Sequence, residues 1–330
     1  MPLNQTPRPQ LVLLTAPGIE DPHNLEVIAQ RADIVRAHAQ DLGHALAGAD
    51  ALLMWDFFSS ALADAWRGAD ALRWVHVAAA GVDAMLFDEL AASPVTLTNA
   101  HGVFDGPIAE FVLASIMAQD KMLHANKSLQ RAGIWKHREP TRTAGSRVIV
   151  VGTGGIGRET ARLLRAVGME VAGAGRTARE SDPDFGTVFA SSELAAHVGA
   201  ADHVVLAAPL TEATRGLINA GVLAAMKNSA HLVNIGRGAL VNEPVLVEAL
   251  RTGQIAAASL DVVAVEPLGE GHPFWNMENV HISAHLSGDV DGWRDALADQ
   301  FLANLDAYIS GDPLTNIVDK DRGYVSSAVG

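Results

Sequence analysis

Cysteine is absent from the 330-residue chain. That excludes disulfides, thiolate metal sites and a cysteine nucleophile, and it suits a reducing cytoplasm. Long hydrophobic runs are missing as well. No apolar stretch reaches the ~18 residues that a membrane-spanning helix needs. The short run 11–14 lacks the basic lead-in and small-residue cleavage site of a signal peptide, so it is expected to be a strand. Positive charge is scarce: 24 Lys and Arg against 38 Asp and Glu leave a formal charge of −14. A nucleic acid or an anionic membrane would call for a basic surplus. An anionic small ligand would instead be met by arginines focused locally. What is present is 49% hydrophobic and 19% charged residues, a globular composition long enough for two domains.

Short β-branched runs alternate with alanine-rich helical stretches, which is the pattern of an α/β protein with parallel sheets. Strands are expected over 11–15, 33–36, 51–55, 74–77 and 95–98. A long amphipathic helix is expected over 106–131, with Pro107 in its first turn. A second series follows at 148–151, 170–174, 203–207, 231–235, 257–262 and 280–283, six strands that make one complete doubly wound domain. Helix then returns over 290–309. The terminal stretch is too short for a third domain and should pack back on the first. The expected division is 1–98 with 287–330 as one domain and 99–286 as the other, with a cleft between them.

Gly152-Thr153-Gly154-Gly155-Ile156-Gly157 matches G-x-G-x-x-G between a β-branched run and a helical pattern, the setting that the motif requires. Gly152 allows the tight turn, Gly154 lets backbone approach a pyrophosphate, and Gly157 permits close helix–strand packing. The helix N-terminus favours the anion. A glycine-rich turn that binds nothing is the competing reading, and the strand–helix context weighs against it. An NAD site usually places an acid ~20 residues past the glycines. Here Gly173-Ala174-Gly175-Arg176-Thr177-Ala178-Arg179 carries none before Glu180. Arg176, with Thr177 and Arg179 beside it, is placed to pair with a 2′-phosphate, so NADP is favoured while NAD stays open. No zinc motif or serine-nucleophile elbow occurs.

The ordered series of that glycine loop, Ala208-Pro209-Leu210-Thr211, Asn234-Ile235-Gly236-Arg237-Gly238, Leu260-Asp261-Val262 with Glu266-Pro267, and Pro273-Phe274-Trp275 with His285 resembles the D-isomer-specific 2-hydroxyacid dehydrogenases, in particular glyoxylate/hydroxypyruvate reductases. Ala79-Ala80-Gly81-Val82-Asp83 and Asn99-Ala100-His101-Gly102 extend the likeness over nearly the whole chain. The resemblance implies a Rossmann cofactor domain plus a flavodoxin-like substrate domain, both doubly wound parallel sheets. It implies reduction of small 2-oxo acids to D-2-hydroxy acids and a homodimer formed through the cofactor domain. Its catalytic residues map onto Arg237, Glu266 and His285. Asp261 resembles the residue that holds the nicotinamide carboxamide, with a turn or capping aspartate as the alternative. Ile108, Ala208, Pro209, Thr214, Ile235 and Gly236 fall where the cofactor trough is expected. Ala80, Gly81 and Val82 resemble the loop that meets the substrate carboxylate. Trp55 belongs to a bulky cluster, 54–58, at the family's substrate loop, where core packing explains it equally well. One departure stands out, the missing histidine often found near Ala208, and Glu266 disfavours formate dehydrogenase, which uses a glutamine there.

The residue chemistry points the same way. A 2-oxo acid presents a carboxylate beside a ketone, so it needs a cation, a carbonyl polariser and a proton donor. Arg237 and His285 each follow an expected strand end, where open α/β sheets bind ligands. Glu266 would fix the imidazole tautomer and raise its pKa. A non-catalytic dinucleotide-sensing corepressor could share fold and triad, but no basic patch supports that rival.

Overall fold

The computed structural model describes residues 8–325, and the chain divides into two compact units, 1–103 with 291–330, and 104–290. Among the described residues no helix is long and apolar enough to cross a membrane.

The first unit holds β1 (Gln10–Leu14), β2 (Asp33–Ala37), β3 (Ala51–Met54), β4 (Trp74–Val77) and β5 (Thr96–Asn99), all parallel in the order β2-β1-β3-β4-β5. This is the flavodoxin-type doubly wound order. β3 and β4 are buried along their whole length, as a parallel sheet covered on both faces requires. The returning helix Trp293–Ser310 buries Leu297, Phe301 and Leu305 at four-residue spacing. Trp74 stacks on Phe301 and Tyr308, with ring centroids 5.3 and 5.2 Å away. The Trp74 indole N–H donates to the Thr98 hydroxyl at 2.8 Å. Ring stacking of this kind fastens the C-terminal helix to the sheet.

The second unit adds β6 (Arg147–Val151), β7 (Glu170–Gly175), β8 (Arg179–Asp182), β9 (Gly186–Ala190), β10 (His203–Leu206), β11 (His231–Asn234), β12 (Ala257–Leu260) and β13 (Val280–Ile282). Their order is β13-β12-β11-β10-β6-β7-β9-β8, parallel except for the β8–β9 pair. The strand order reverses at the β6/β10 boundary, the position where doubly wound sheets open a ligand crevice. Six strands were expected here, and β8 and β9 enlarge the sheet. β9 carries a readable apolar core in Val188 and Phe189. β8 reads Arg-Glu-Ser-Asp and is polar because it is an irregular edge strand.

The expected single helix over 106–131 is two helices, Asp105–Asp120 and Leu123–Arg131. The first buries Ile108, Val112 and Ile116 and ends at buried Asp120, whereas the second buries nothing. With no apolar stripe to continue, the chain breaks at Met122, which is left-handed at φ 54°. Thr141 N–H takes the freed Asp120 carbonyl at 2.9 Å, and Lys121 Nζ reaches the Thr141 carbonyl at 2.6 Å.

Candidate active site

The glycine loop explains itself sterically. Gly152 sits at φ 112°, and a β-carbon there would fall 2.5 Å from the Ala207 carbonyl, so the ends of β6 and β10 meet too closely for any side chain. At Gly157 a β-carbon would lie 1.9 Å from the Gly152 oxygen. Gly154 behaves differently, because nothing lies within 4 Å of where its β-carbon would be. Two glycines are thus demanded by packing, while the third leaves open backbone at the N-terminus of the helix Gly155–Ala166. The first-turn amides of that helix have no intrahelical acceptor, and with the helix dipole they form an anion cradle suited to a dinucleotide pyrophosphate. Thr153 lies against the end of β7, 3.1 Å from the site of a Gly175 β-carbon. Ile108 of the crossover helix is buried beside Gly288.

Beyond β7, Arg176 and Thr177 are exposed, while Arg179 is half-buried with its Nε on Asp182 Oδ2 at 2.7 Å. On the other side of the glycine loop, Ala208 is buried and Pro209 exposed. Thr214 ties this loop through its hydroxyl, donating to the Pro209 carbonyl at 2.8 Å and accepting from Thr211 N–H at 2.8 Å. Ile235 is buried at the end of β11, and a β-carbon at Gly236 would fall 2.9 Å from the Ala208 oxygen. The residues expected around a cofactor therefore gather at the C-terminal ends of β6, β7, β10 and β11.

Arg237, Glu266 and His285 follow β11, β12 and β13 at that same end of the sheet. Gly238 makes the assembly possible: a β-carbon there would fall 1.9 Å from the Val263 oxygen, so the Arg237 loop presses on the loop that carries Glu266. Glu266 Oε1 accepts from Val263 N–H at 3.1 Å, and Oε2 pairs with His285 Nδ1 at 2.8 Å. The hydrogen bond from Glu266 and its charge hold the His285 pKa above the ordinary value, against burial and the nearby Arg237 charge. Burial works to raise Glu266, but the His285 hydrogen bond, the Val263 amide and the Arg237 charge outweigh it and leave the carboxyl below its usual range.

His285 sits in the left-handed region at φ 53°, a conformation that persists only where the surroundings enforce it. Asp261 is the enforcer. It is 3% exposed, and its carboxylate accepts from Ser283 Oγ (2.7 Å), Leu286 N–H (3.0 Å) and Ser287 N–H (3.1 Å). Its carbonyl takes the His285 N–H at 2.9 Å. Nothing in the spacing singled out Ser283 or the 286–287 amides, because their meeting with Asp261 joins two strand ends far apart in sequence.

Trp55, Ala80, Gly81 and Val82 belong to the first unit. Trp55 does not line an open surface: it is 3% exposed, and its indole N–H donates to the Glu20 carbonyl at 2.7 Å. Phe57 and Phe58 of the same cluster meet as tilted rings with centroids 4.7 Å apart, and Phe58 is exposed. Ala80, Gly81 and Val82 form the turn after β4, with the Val82 carbonyl taken by the Met85 and Leu86 amides. Among the described residues no acceptor meets the N–H groups of these three, an arrangement that suits a carboxylate.

Comparison with known proteins adds the lineage. The family model of the D-isomer specific 2-hydroxyacid dehydrogenase NAD binding domain matches residues 113–287. The human glyoxylate reductase/hydroxypyruvate reductase is 32% identical over 286 residues, covering 84% of this chain and 86% of the human protein. A D-isomer specific 2-hydroxyacid dehydrogenase from Xanthobacter autotrophicus, solved with NADPH and MES, superposes with a TM-score of 0.80 at 30% identity, covering 96% of this chain and 100% of that one. An NADPH-dependent glyoxylate/hydroxypyruvate reductase from Sinorhizobium meliloti, solved with NADP and sulfate, gives 0.81 at 26% identity over 96% of this chain and 100% of that one.

Proposed function

Since the chain belongs to the D-isomer specific 2-hydroxyacid dehydrogenase family, NAD(P)-dependent oxidoreductases, we propose that it reduces a small 2-oxo acid such as glyoxylate or hydroxypyruvate to the D-2-hydroxy acid, with NADPH as the preferred donor. The observation that carries this reading is the His285–Glu266 pair at 2.8 Å beside the Arg237 charge at the sheet's C-terminal end. When bound, the nicotinamide supplies the hydride. Arg237 offers a planar fork to the substrate's carboxylate and ketone oxygens, and its charge stabilises the alkoxide that develops there. With Nδ1–H donated to Glu266, the imidazolium directs Nε2–H at the ketone oxygen. Proton transfer from Nε2 leaves a neutral imidazole still bonded to Glu266.

The NADPH preference is supported by the arginine-bearing, acid-free turn 176–179 and by relatives solved with NADPH or NADP. A panel of 2-oxo acids assayed with NADPH and NADH tests both statements. Arg176→Asp should raise KM for NADPH strongly while leaving or improving use of NADH, and equal kinetics with both nucleotides before and after the change would reject the preference. A homodimer built through the second unit is favoured by Trp135, fully exposed on the single chain, with Ile134 and Leu123 of the same unit each more than half exposed.

A further inference from the structure

The turn after β7 lacks the acid that would hold a ribose 2′-hydroxyl, yet acids follow it at Glu180 and Asp182. The structure accounts for both. Glu180 is exposed, and its carboxylate accepts from Thr187 Oγ1 at 2.9 Å. Asp182 turns inward through Ser181, which is left-handed at φ 58°, and its side chain is only 2% exposed. Five donors saturate it. Oδ1 accepts from Arg158 Nη1 (3.2 Å), Asp184 N–H (3.0 Å) and Phe185 N–H (3.2 Å). Oδ2 accepts from Arg158 Nη2 (3.3 Å) and Arg179 Nε (2.7 Å). Burial opposes ionisation, but these hydrogen bonds, Arg179 foremost, hold the carboxyl at about 2. A carboxylate so enclosed has no lone pair left for a ribose hydroxyl.

Its partners show what it does instead. Arg158 lies in the first turn of the helix that opens at the glycine loop, and Arg179 closes the turn that carries Arg176. One buried carboxylate therefore sets the position of the cofactor turn relative to the pyrophosphate cradle. It grips Arg179 by Nε alone. Nη1 and Nη2 make no hydrogen bond among the described residues, and the side chain is 35% exposed. A guanidinium anchored at Nε presents its outer edge as a two-pronged donor, the geometry that a phosphate takes. We propose that Asp182 is a positioning residue for the adenosine 2′-phosphate of NADPH, holding Arg179 so that its outer guanidinium edge, beside Arg176, meets that phosphate. This rests on the NADPH preference proposed above.

The test is calorimetric binding of adenosine 2′,5′-bisphosphate and of 5′-AMP, which differ only by the 2′-phosphate, with KM for NADPH alongside. In Asp182→Asn the amide turns hydrogens toward a guanidinium and releases Arg179. Affinity for the bisphosphate should fall about tenfold, 5′-AMP should bind as before, and KM for NADPH should rise in parallel. Arg179→Ala, at a partly exposed site, should give the same selective loss and decides the matter should Asp182→Asn not fold. Arg179→Lys keeps the charge but cannot serve Asp182 and a phosphate together, so it should recover less than half of the loss. Equal weakening of both nucleotides would make Asp182 a merely structural residue and overturn the proposal. No loss in Asp182→Asn and Arg179→Ala, with a collapse in Arg176→Asp, would overturn it while leaving the NADPH preference standing. A wild-type protein that binds the two nucleotides equally would remove that preference and this inference with it.

Discussion

Replacing Glu266 with glutamine isolates a charge without disturbing a shape. The amide oxygen can still accept the His285 Nδ1–H across the 2.8 Å contact, so the ring keeps its orientation and loses only the anion behind it. A hydrogen bond to a charged group contributes about 1.5–3 kcal/mol against about 0.5–1.5 kcal/mol for a neutral one, so losing the charge alone costs the imidazolium on the order of 1 kcal/mol. Both side chains are roughly one-third exposed, so screening does not let the effect exceed that figure. The Arg237 charge already pushes His285 downward and survives the substitution. On the proposed mechanism reduction requires the imidazolium, so kcat/KM falls as pH rises through the His285 pKa. Oxidation of the hydroxy acid requires the neutral ring and rises over the same range. In Glu266→Gln the alkaline limb of reduction should move toward acid, a loss of roughly fivefold at any pH above both limbs. Profiles of kcat/KM from pH 5 to 10 in both directions measure it. A limb that stays in place or moves toward alkali would refute the assignment of Glu266 as the charge that holds His285 protonated. Near-normal turnover in His285→Ala with an unchanged profile would refute His285 as the proton donor.

Other substitutions probe the supports of the site. Asp261→Asn removes an acceptor from the loop amides and leaves a buried N–H facing an amide donor, which costs about 2–3 kcal/mol. It should lower the melting temperature by roughly 5–10 °C and reduce kcat, and a melting curve identical to wild type would contradict it. Burial holds His231 neutral, aided by the charges of His203, His281 and His124, and burial with the His124 charge brings His281 to about 4. Both lie below the ~6.5 of an unfolded histidine, so their contribution is complete above pH 6.5 and is lost as pH falls toward 4. At pH 5 His281 alone should subtract about 1–2 kcal/mol, discounted for its partial exposure. Denaturant titrations of wild type and His281→Gln between pH 7 and 4.5 check this, and parallel curves would count against it. Trp135→Ser should yield a monomer by light scattering at micromolar concentration. A wild-type monomer would dispose of the dimer, and a dimeric Trp135→Ser would move its interface elsewhere.

The amino-acid sequence determined whatever depends on neighbours along the chain. The buried parallel strands were legible because a strand covered on both faces must be apolar along its length, as β3 and β4 are. The glycine loop was legible because a tight turn and a close helix contact each forbid a β-carbon at a fixed offset. Arg237 and His285 were legible because each follows a strand end, so a line of text already places them at one end of the sheet, and the family resemblance added Glu266. Tertiary structure alone decided how that end is held. Asp261 reaches Ser283 and the 286–287 amides across more than twenty residues, and Asp182 gathers arginines from a helix turn and an edge strand. Carboxylates look alike in sequence, and burial with saturated oxygens separates these two from the exposed acids around them. The break at Met122 escaped for the complementary reason: helical periodicity reports local preference, while the helix ends where packing and a distant Thr141 amide end it.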